Sequence, residues 1–206
     1  MMLTRRSFLS AAAAGMVLSP EWAKSNTAHI SDSQLLSDIE RRTFNFYWER
    51  VNPRNGLMAD RWSTPSVCSI TGTGFALTAL PIAVERGWIT RDQARDVTLR
   101  TLRFLEQLPQ GEQPTGTAGY RGFYYHFLDM QTGLRLGTPE LSTIDSTWLQ
   151  MGIALAQGWF DREDESENEI RALAQRLLDR AEWDWMQAHS KGGKAITMGW
   201  SPESGS

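Results

Sequence analysis

Apolar residues recur at spacings of three and four in five separate stretches of this chain, a period that commits most of it to amphipathic helices. The first stretch runs from Ser31 through Leu35, Leu36, Ile39, Phe44, Tyr47 and Trp48 and stops at Asn52-Pro53-Arg54-Asn55-Gly56. A second helix is expected over residues 73–86, with Pro81 inside it to remove a backbone donor or kink it. Gly87 and Trp88 end that segment, and Thr90-Arg91-Asp92-Gln93 reads as a capping box for a third helix reaching Leu108. So short a connection makes antiparallel neighbours, so helices two and three should form a hairpin. The fourth helix begins near Ser142 and passes through Trp148, Leu149, Ile153 and Trp159. An acidic turn over residues 161–169 then opens a fifth, through Ile170, Leu173, Leu177, Trp183 and Met186. The expected architecture is all-α: helical hairpins with one long, decorated loop.

That loop covers residues 109–139. Its run Gly122-Phe123-Tyr124-Tyr125-His126-Phe127 has strand-like composition, and Gln131-Thr132-Gly133 reads as a turn. A connection of this length inside a compact domain is usually functional. With 206 residues, one domain with a sizeable core is the default. The single cysteine, Cys68, excludes an intramolecular disulfide, so packing must hold the fold. Nine tryptophans, four tyrosines and eight phenylalanines give the chain many aromatic faces, which fill cores and also stack on the apolar faces of sugar rings.

The first residues have a purpose of their own. Thr4-Arg5-Arg6-Ser7-Phe8-Leu9 places two arginines before a weakly apolar run of about eleven residues, well short of the roughly 20 that span a bilayer. This reads as a twin-arginine export signal over residues 1–28, addressed to the twin-arginine translocation machinery, with no stable membrane anchor and a periplasmic or secreted destination. Setting aside Arg5, Arg6, Lys24 and Glu21 takes the formal net charge from −3 to about −5, with the remaining basic residues interleaved with acids. Nucleic acid is therefore not an expected partner.

Three clusters could carry chemistry. Glu140 and Asp145, five residues apart across the start of the fourth helix, can point at one cavity, as the paired carboxylates of glycosidic hydrolysis must. Capping explains them equally well from spacing alone, since Ser142 with Asp145 three positions on is nearly a capping box and acids gain from a helix N-terminus. Asp60, Arg61 and Trp62 put an ion pair beside a ring, suited to sugar hydroxyls, although a surface ion pair is the commoner meaning of adjacent Asp and Arg. Tyr120, Arg121, Tyr124 and His126 could all hydrogen-bond to a sugar, His126 alone being more often a satisfied buried histidine. No His, Cys, Asp and Glu set has zinc-ligand spacing and Gly72-Thr73-Gly74 lacks a preceding strand, so neither a metal nor a nucleotide cofactor is expected.

Longer motifs add to this. Phe46-Tyr47-Trp48-Glu49, Asp60-Arg61, Thr73-Gly74-Phe75-Ala76-Leu77-Thr78-Ala79-Leu80-Pro81-Ile82, Glu85-Arg86-Gly87-Trp88-Ile89-Thr90, Gly119-Tyr120-Arg121-Gly122-Phe123-Tyr124-Tyr125-His126-Phe127-Leu128-Asp129 and Glu140-Leu141-Ser142-Thr143-Ile144-Asp145 together resemble the glucoamylase-like domain family, which includes bacterial endo-β-1,2-glucanases. The resemblance implies an (α/α)6 toroid of helical hairpins with a sugar cleft at its mouth. It also implies a metal-free glycoside hydrolase acting on a β-linked glucan, β-1,2-glucan among them, with Glu140 and Asp145 as catalytic carboxylates. Six hairpins need about twelve helices and this chain shows about five, so residues 29–206 are expected to be the N-terminal part of such a domain, truncated. The family's further glutamate, in a Tyr-Asn-Glu-Ala-type stretch, is not found in this sequence. Two other functions stay open: a non-catalytic glycan-binding protein, and an α/α-toroid polysaccharide lyase. A lyase would want several cations at its cleft, where Arg61 and Arg121 are the main ones in view.

Overall fold

The computed structural model describes residues 30–62, 65–188 and 195–205, so the export segment expected over residues 1–28 lies outside the described residues. The chain divides into two compact units, Met1–Asp38 and Ile39–Ser206. The first is described only from Ile30, where Ser31 accepts a hydrogen bond from the Gln34 N–H at the start of α1 (Asp32–Arg50). The second holds the core and the candidate site.

Four long helices of the second unit form two layers. In one, α2 (Ile70–Glu85) packs mainly on α4 (Thr143–Trp159); in the other, α3 (Arg91–Gln107) packs on α5 (Glu165–Asp179). Leu77, Leu80 and Ala83 of α2, Leu102 and Leu105 of α3, Leu149 and Ile153 of α4, and Ile170 and Leu173 of α5 meet in one buried cluster. The Thr90–Gln93 capping box is present in full. α2 begins three residues earlier than periodicity suggests, because Ser69 caps it through the Gly72 N–H. It continues past Pro81, which is buried against its neighbours.

α2 and α4 approach so closely that side chains are excluded between them. A Cβ on Gly74 would lie 2.3 Å from the Trp148 carbonyl oxygen, and one on Gly152 would lie 2.2 Å from the Gly74 carbonyl oxygen. The two helices start side by side, Thr71 against Asp145. At the opposite end Arg91 reaches Glu167, so α3 and α5 also start together. The short connections, residues 86–90 and 160–164, therefore lie at one end, and the long ones at the end where α2 and α4 begin.

Those long connections are stitched by two-residue strands. β1 (Cys68–Ser69) pairs antiparallel with β4 (Phe127–Leu128), β2 (Gly119–Tyr120) with β3 (Phe123–Tyr124), and β5 (Leu141–Ser142) with β6 (Gly199–Trp200). The strand-like run at residues 122–127 is thus interrupted, with Gly122 in a turn. Arg121 and Gly122 both have positive φ, 52° and 82°, as a two-residue hairpin turn between twisted strands requires. The tip of that hairpin also corrects the fifth helix. Gly122 presses on the Arg180 backbone and the Glu182 N–H donates to the Arg121 carbonyl, so α5 ends at Asp179 and residues expected in its last turns form a separate α6 (Trp183–Ala188).

Candidate active site

Two helix starts and the loop strand between them build the site. Ser142 caps α4, accepting from the Asp145 N–H at 3.1 Å. The Asp145 carboxylate accepts a hydrogen bond from Thr71 Oγ1 at 2.5 Å, across from the first turn of α2, and another from Ser142 Oγ. Capping and presentation are therefore one arrangement: the cap orients Asp145 and the neighbouring helix start holds it. Thr71 escapes sequence reasoning because nothing in the local pattern says that α2 begins beside α4.

His126 and Glu140 face each other on the loop. Tyr125 bridges Leu141, and the His126 N–H donates to the Glu140 carbonyl at 3.0 Å, which puts both side chains on one side of the ladder. His126 Nδ1 lies 3.1 Å from Glu140 Oε1, and Nε2 lies 3.6 Å from Asp145 Oδ1. The structure thus joins three of the residues singled out in the sequence, Glu140, Asp145 and His126. Their ligand-type atoms all lie within 4.8 Å of one another, a spacing a cation could also use. The bonds from Thr71 and Ser142 to Asp145, and the approach of His126 to Glu140, satisfy the trio through its own neighbours.

The other candidates separate. Asp60 and Arg61 pair with each other, Arg61 Nε donating to Asp60 Oδ2 at 2.8 Å. Trp62 is 58% exposed and lies under the Arg50 guanidinium, 5.2 Å from its centre, with Phe46 alongside. Arg121 pairs with Glu182 and stacks on Tyr120 and Trp185. Tyr120 in turn packs on Trp185 and Trp200, a group of rings beside the β5–β6 strands that carry the Glu140 turn. Tyr124 departs from the sugar-contact expectation: it is buried and its hydroxyl donates to the Leu105 carbonyl at 3.0 Å. Burial pushes its phenol up to about 12, so it stays protonated as a core donor. Burial also pushes the Cys68 thiol up to about 12 and leaves it unreactive.

Sequence reasoning missed Arg135. Its side chain is 1% exposed, lies over the Tyr125 ring and donates to the carbonyls of Pro114 and Pro139 and to the Glu203 carboxylate. Arg135 thereby ties residues 199–205 to the loop leading into Glu140. A lone arginine in a loop carries no sequence signal for such a role.

No protein-family model matches the chain. The exo β-1,2-glucooligosaccharide sophorohydrolase of Parabacteroides distasonis is 27% identical over 183 residues, covering 86% of this chain and 24% of its own length. The crystal structure of a β-1,2-glucanase from the same organism superimposes with a TM-score of 0.72 at 27% identity, over 85% of this chain and 24% of that one. A protein of Bacteroides uniformis, solved as a candidate glucoamylase, gives 0.73 at 26% identity, over 85% of this chain and 41% of that one. The resemblance to the glucoamylase-like proteins holds. The names of the first two refer to β-1,2-glucooligosaccharide and β-1,2-glucan, and the chain spans about a quarter of the length of each.

Proposed function

We propose that the chain carries part of the catalytic cleft of an exported glycoside hydrolase that cleaves a β-linked glucan, with β-1,2-glucan as the first substrate to test. The observation behind this reading is that the Glu140 and Asp145 carboxylates meet around His126 where α2 and α4 begin. One carboxyl group would protonate the leaving oxygen, while Asp145, ordered by Thr71 and Ser142, stays in place to take the proton that the attacking water gives up. In the (α/α)6 ring that the resemblance implies, the opposing carboxylate comes from another helix pair. Trp62 and the Tyr120 and Trp185 pair supply rings on which sugar residues could stack.

Both cations that a uronate-cleaving lyase would use, Arg61 and Arg121, are engaged by Asp60 and Glu182, which favours the hydrolase. The test uses the natural polypeptide carrying this sequence, with new reducing ends from linear β-1,2-glucan as the readout. Asp145→Asn keeps the capping geometry, so its melting temperature should move only a few degrees, a cost of about 1 kcal/mol or less. An amide takes up no proton, so turnover should fall about 100-fold to 10,000-fold. Near-normal turnover with lowered stability would make Asp145 a cap alone. Retained sugar binding without any turnover in the unaltered protein would identify a glycan-binding protein instead.

Export through the twin-arginine machinery belongs to the same reading and rests on Arg5 and Arg6 ahead of a weakly apolar run. Replacing both with Lys should trap the precursor in the cytoplasm. Unchanged periplasmic accumulation of that variant would rule the route out.

A further inference from the structure

Among the described residues, Asp145 and Glu140 are held very differently. Asp145 is 15% exposed and accepts hydrogen bonds from two hydroxyls, whereas the Glu140 side chain is 47% exposed and His126 is the side chain that bonds it. A glutamate with three rotatable bonds and no partner samples many rotamers, and ordering one costs entropy that something must offset. The group positioned to do so is itself held by its neighbours. The His126 ring stacks on Phe127 with centroids 3.9 Å apart and planes 16° from parallel. Its backbone is held on both sides, the N–H donating to the Glu140 carbonyl at 3.0 Å and the carbonyl accepting from the Ile70 N–H at 3.4 Å. Ile70 is the first residue of α2 and Glu140 leads directly into β5 and α4, so the imidazole is built into the seam between the two helix starts.

Both ring nitrogens face carboxylates, Nδ1 toward Glu140 and Nε2 toward Asp145. We infer that His126 is a positioning residue, its Nδ1–H donating to Glu140 and fixing that carboxylate at a set distance from Asp145. The inference rests on reading Glu140 and Asp145 as the reacting carboxylates, and it carries a consequence independent of activity. A neutral imidazole has one N–H, and its neighbours decide which nitrogen bears it. Glu140 at 3.1 Å is within hydrogen-bond reach, and Asp145 at 3.6 Å is beyond it, so the Nδ1–H tautomer is selected over the Nε2–H form.

Ring-nitrogen NMR of the chain labelled with 15N-histidine, at a pH where imidazoles are neutral, reads this directly. The sequence has three histidines, His29, His126 and His189, and His126→Asn assigns the signal by its loss. The expected result is a dominant Nδ1–H tautomer for His126 that inverts in Glu140→Ala, where only Asp145 still faces the ring. A dominant Nε2–H tautomer in the unaltered chain overturns the inference. Kinetics on the natural polypeptide give the second readout. His126→Asn keeps a donor close to the Nδ1 position and should retain most turnover. His126→Ala and His126→Gln should lower kcat about 10- to 100-fold with KM nearly unchanged, the scale expected when a reacting group is displaced by about 1 Å. A raised KM with kcat intact would make His126 a sugar contact and overturn the proposal, as would normal kcat in all three variants at unchanged melting temperature. Should Asp145→Asn and Glu140→Gln both keep full turnover, the reading of the carboxylates fails, while the tautomer result still tests what His126 holds.

Discussion

Glu167 keeps its charge although it is 1% exposed, because Arg91 meets it at 2.7 and 2.8 Å and the Arg162 N–H donates to it at 2.8 Å. The Arg91 hydrogen bonds, ahead of the opposing effect of burial, hold its carboxyl below the ordinary carboxylate range. A carboxyl depressed in the folded state stabilises the fold at every pH above its unfolded value. That contribution is lost as pH falls through about 4 toward the folded value. Glu167→Gln should therefore lower stability by roughly 3 kcal/mol at pH 7, since it leaves Arg91 without its main partner. In denaturant melts the gap to the unaltered protein should close below about pH 4, and a gap of constant size across that range would refute the assignment. The tyrosine, arginine and histidine cluster of the long loop shows what residue-scale reading cannot sort. Tyr120 and Tyr124 are four apart in sequence, yet the Arg121–Gly122 turn folds one strand back on the other, and Tyr124 goes to the core while Tyr120 joins a group of rings.

At the scale of elements, the α2–α4 contact sets the site, because it brings Thr71 to Asp145. Gly74→Ala puts a methyl group against the backbone of Trp148 and Leu149, which cannot move as a side-chain tip can. The expected cost is at least the roughly 1–3 kcal/mol of an overpacked core, together with loss of the Thr71–Asp145 bond and most turnover. Gly158→Ala is the matched control: it lies in α4 with nothing within 4 Å of a Cβ and should leave stability equal or higher by up to about 1 kcal/mol. Equal melting temperatures for the two variants would mean that the helices part without consequence. Capping was legible here, with Thr90 and Ser142 read correctly from their neighbours. The start of α2 was not, because Ser69-Ile70-Thr71-Gly72 looks like loop until the β1–β4 pair places it against a second helix.

At the scale of the whole molecule, an apolar face of α4 stands uncovered among the described residues. Ile144, Trp148, Met151 and Leu155 follow one another along α4 at helical spacing and are 41–55% exposed, with Phe75 of α2 touching Trp148 edge-on at 5.2 Å. The opposite side of α4, with Leu149, Ile153 and Ala156, is buried. A helix apolar on both sides belongs inside a larger assembly. Produced without residues 1–28, the chain should therefore bind a hydrophobic dye and self-associate. Met151→Lys with Leu155→Glu should weaken both with little change in melting temperature. A monomer that excludes the dye would show that this face is tolerated in water as it stands.

Hydrophobic period, capping residues and the short connection at residues 86–90 were enough to place the helices approximately, because each depends on neighbours within a few residues, but not to show that α2 packs mainly on α4, that α3 packs on α5 or that the fifth helix breaks into α5 and α6. In the motif from Glu140 to Asp145 the Ser142 cap was likewise legible, while spacing alone left capping and catalysis equal for the two acids. What only the tertiary structure decided is which groups share the site. Thr71, His126 and Asp145 are separated by 55 and 19 residues in the chain and meet because two glycines let α2 and α4 touch backbone to backbone. No local pattern encodes that contact, since a glycine in a helix looks the same in sequence whether it admits a neighbouring backbone, as Gly152 does, or faces water, as Gly158 does.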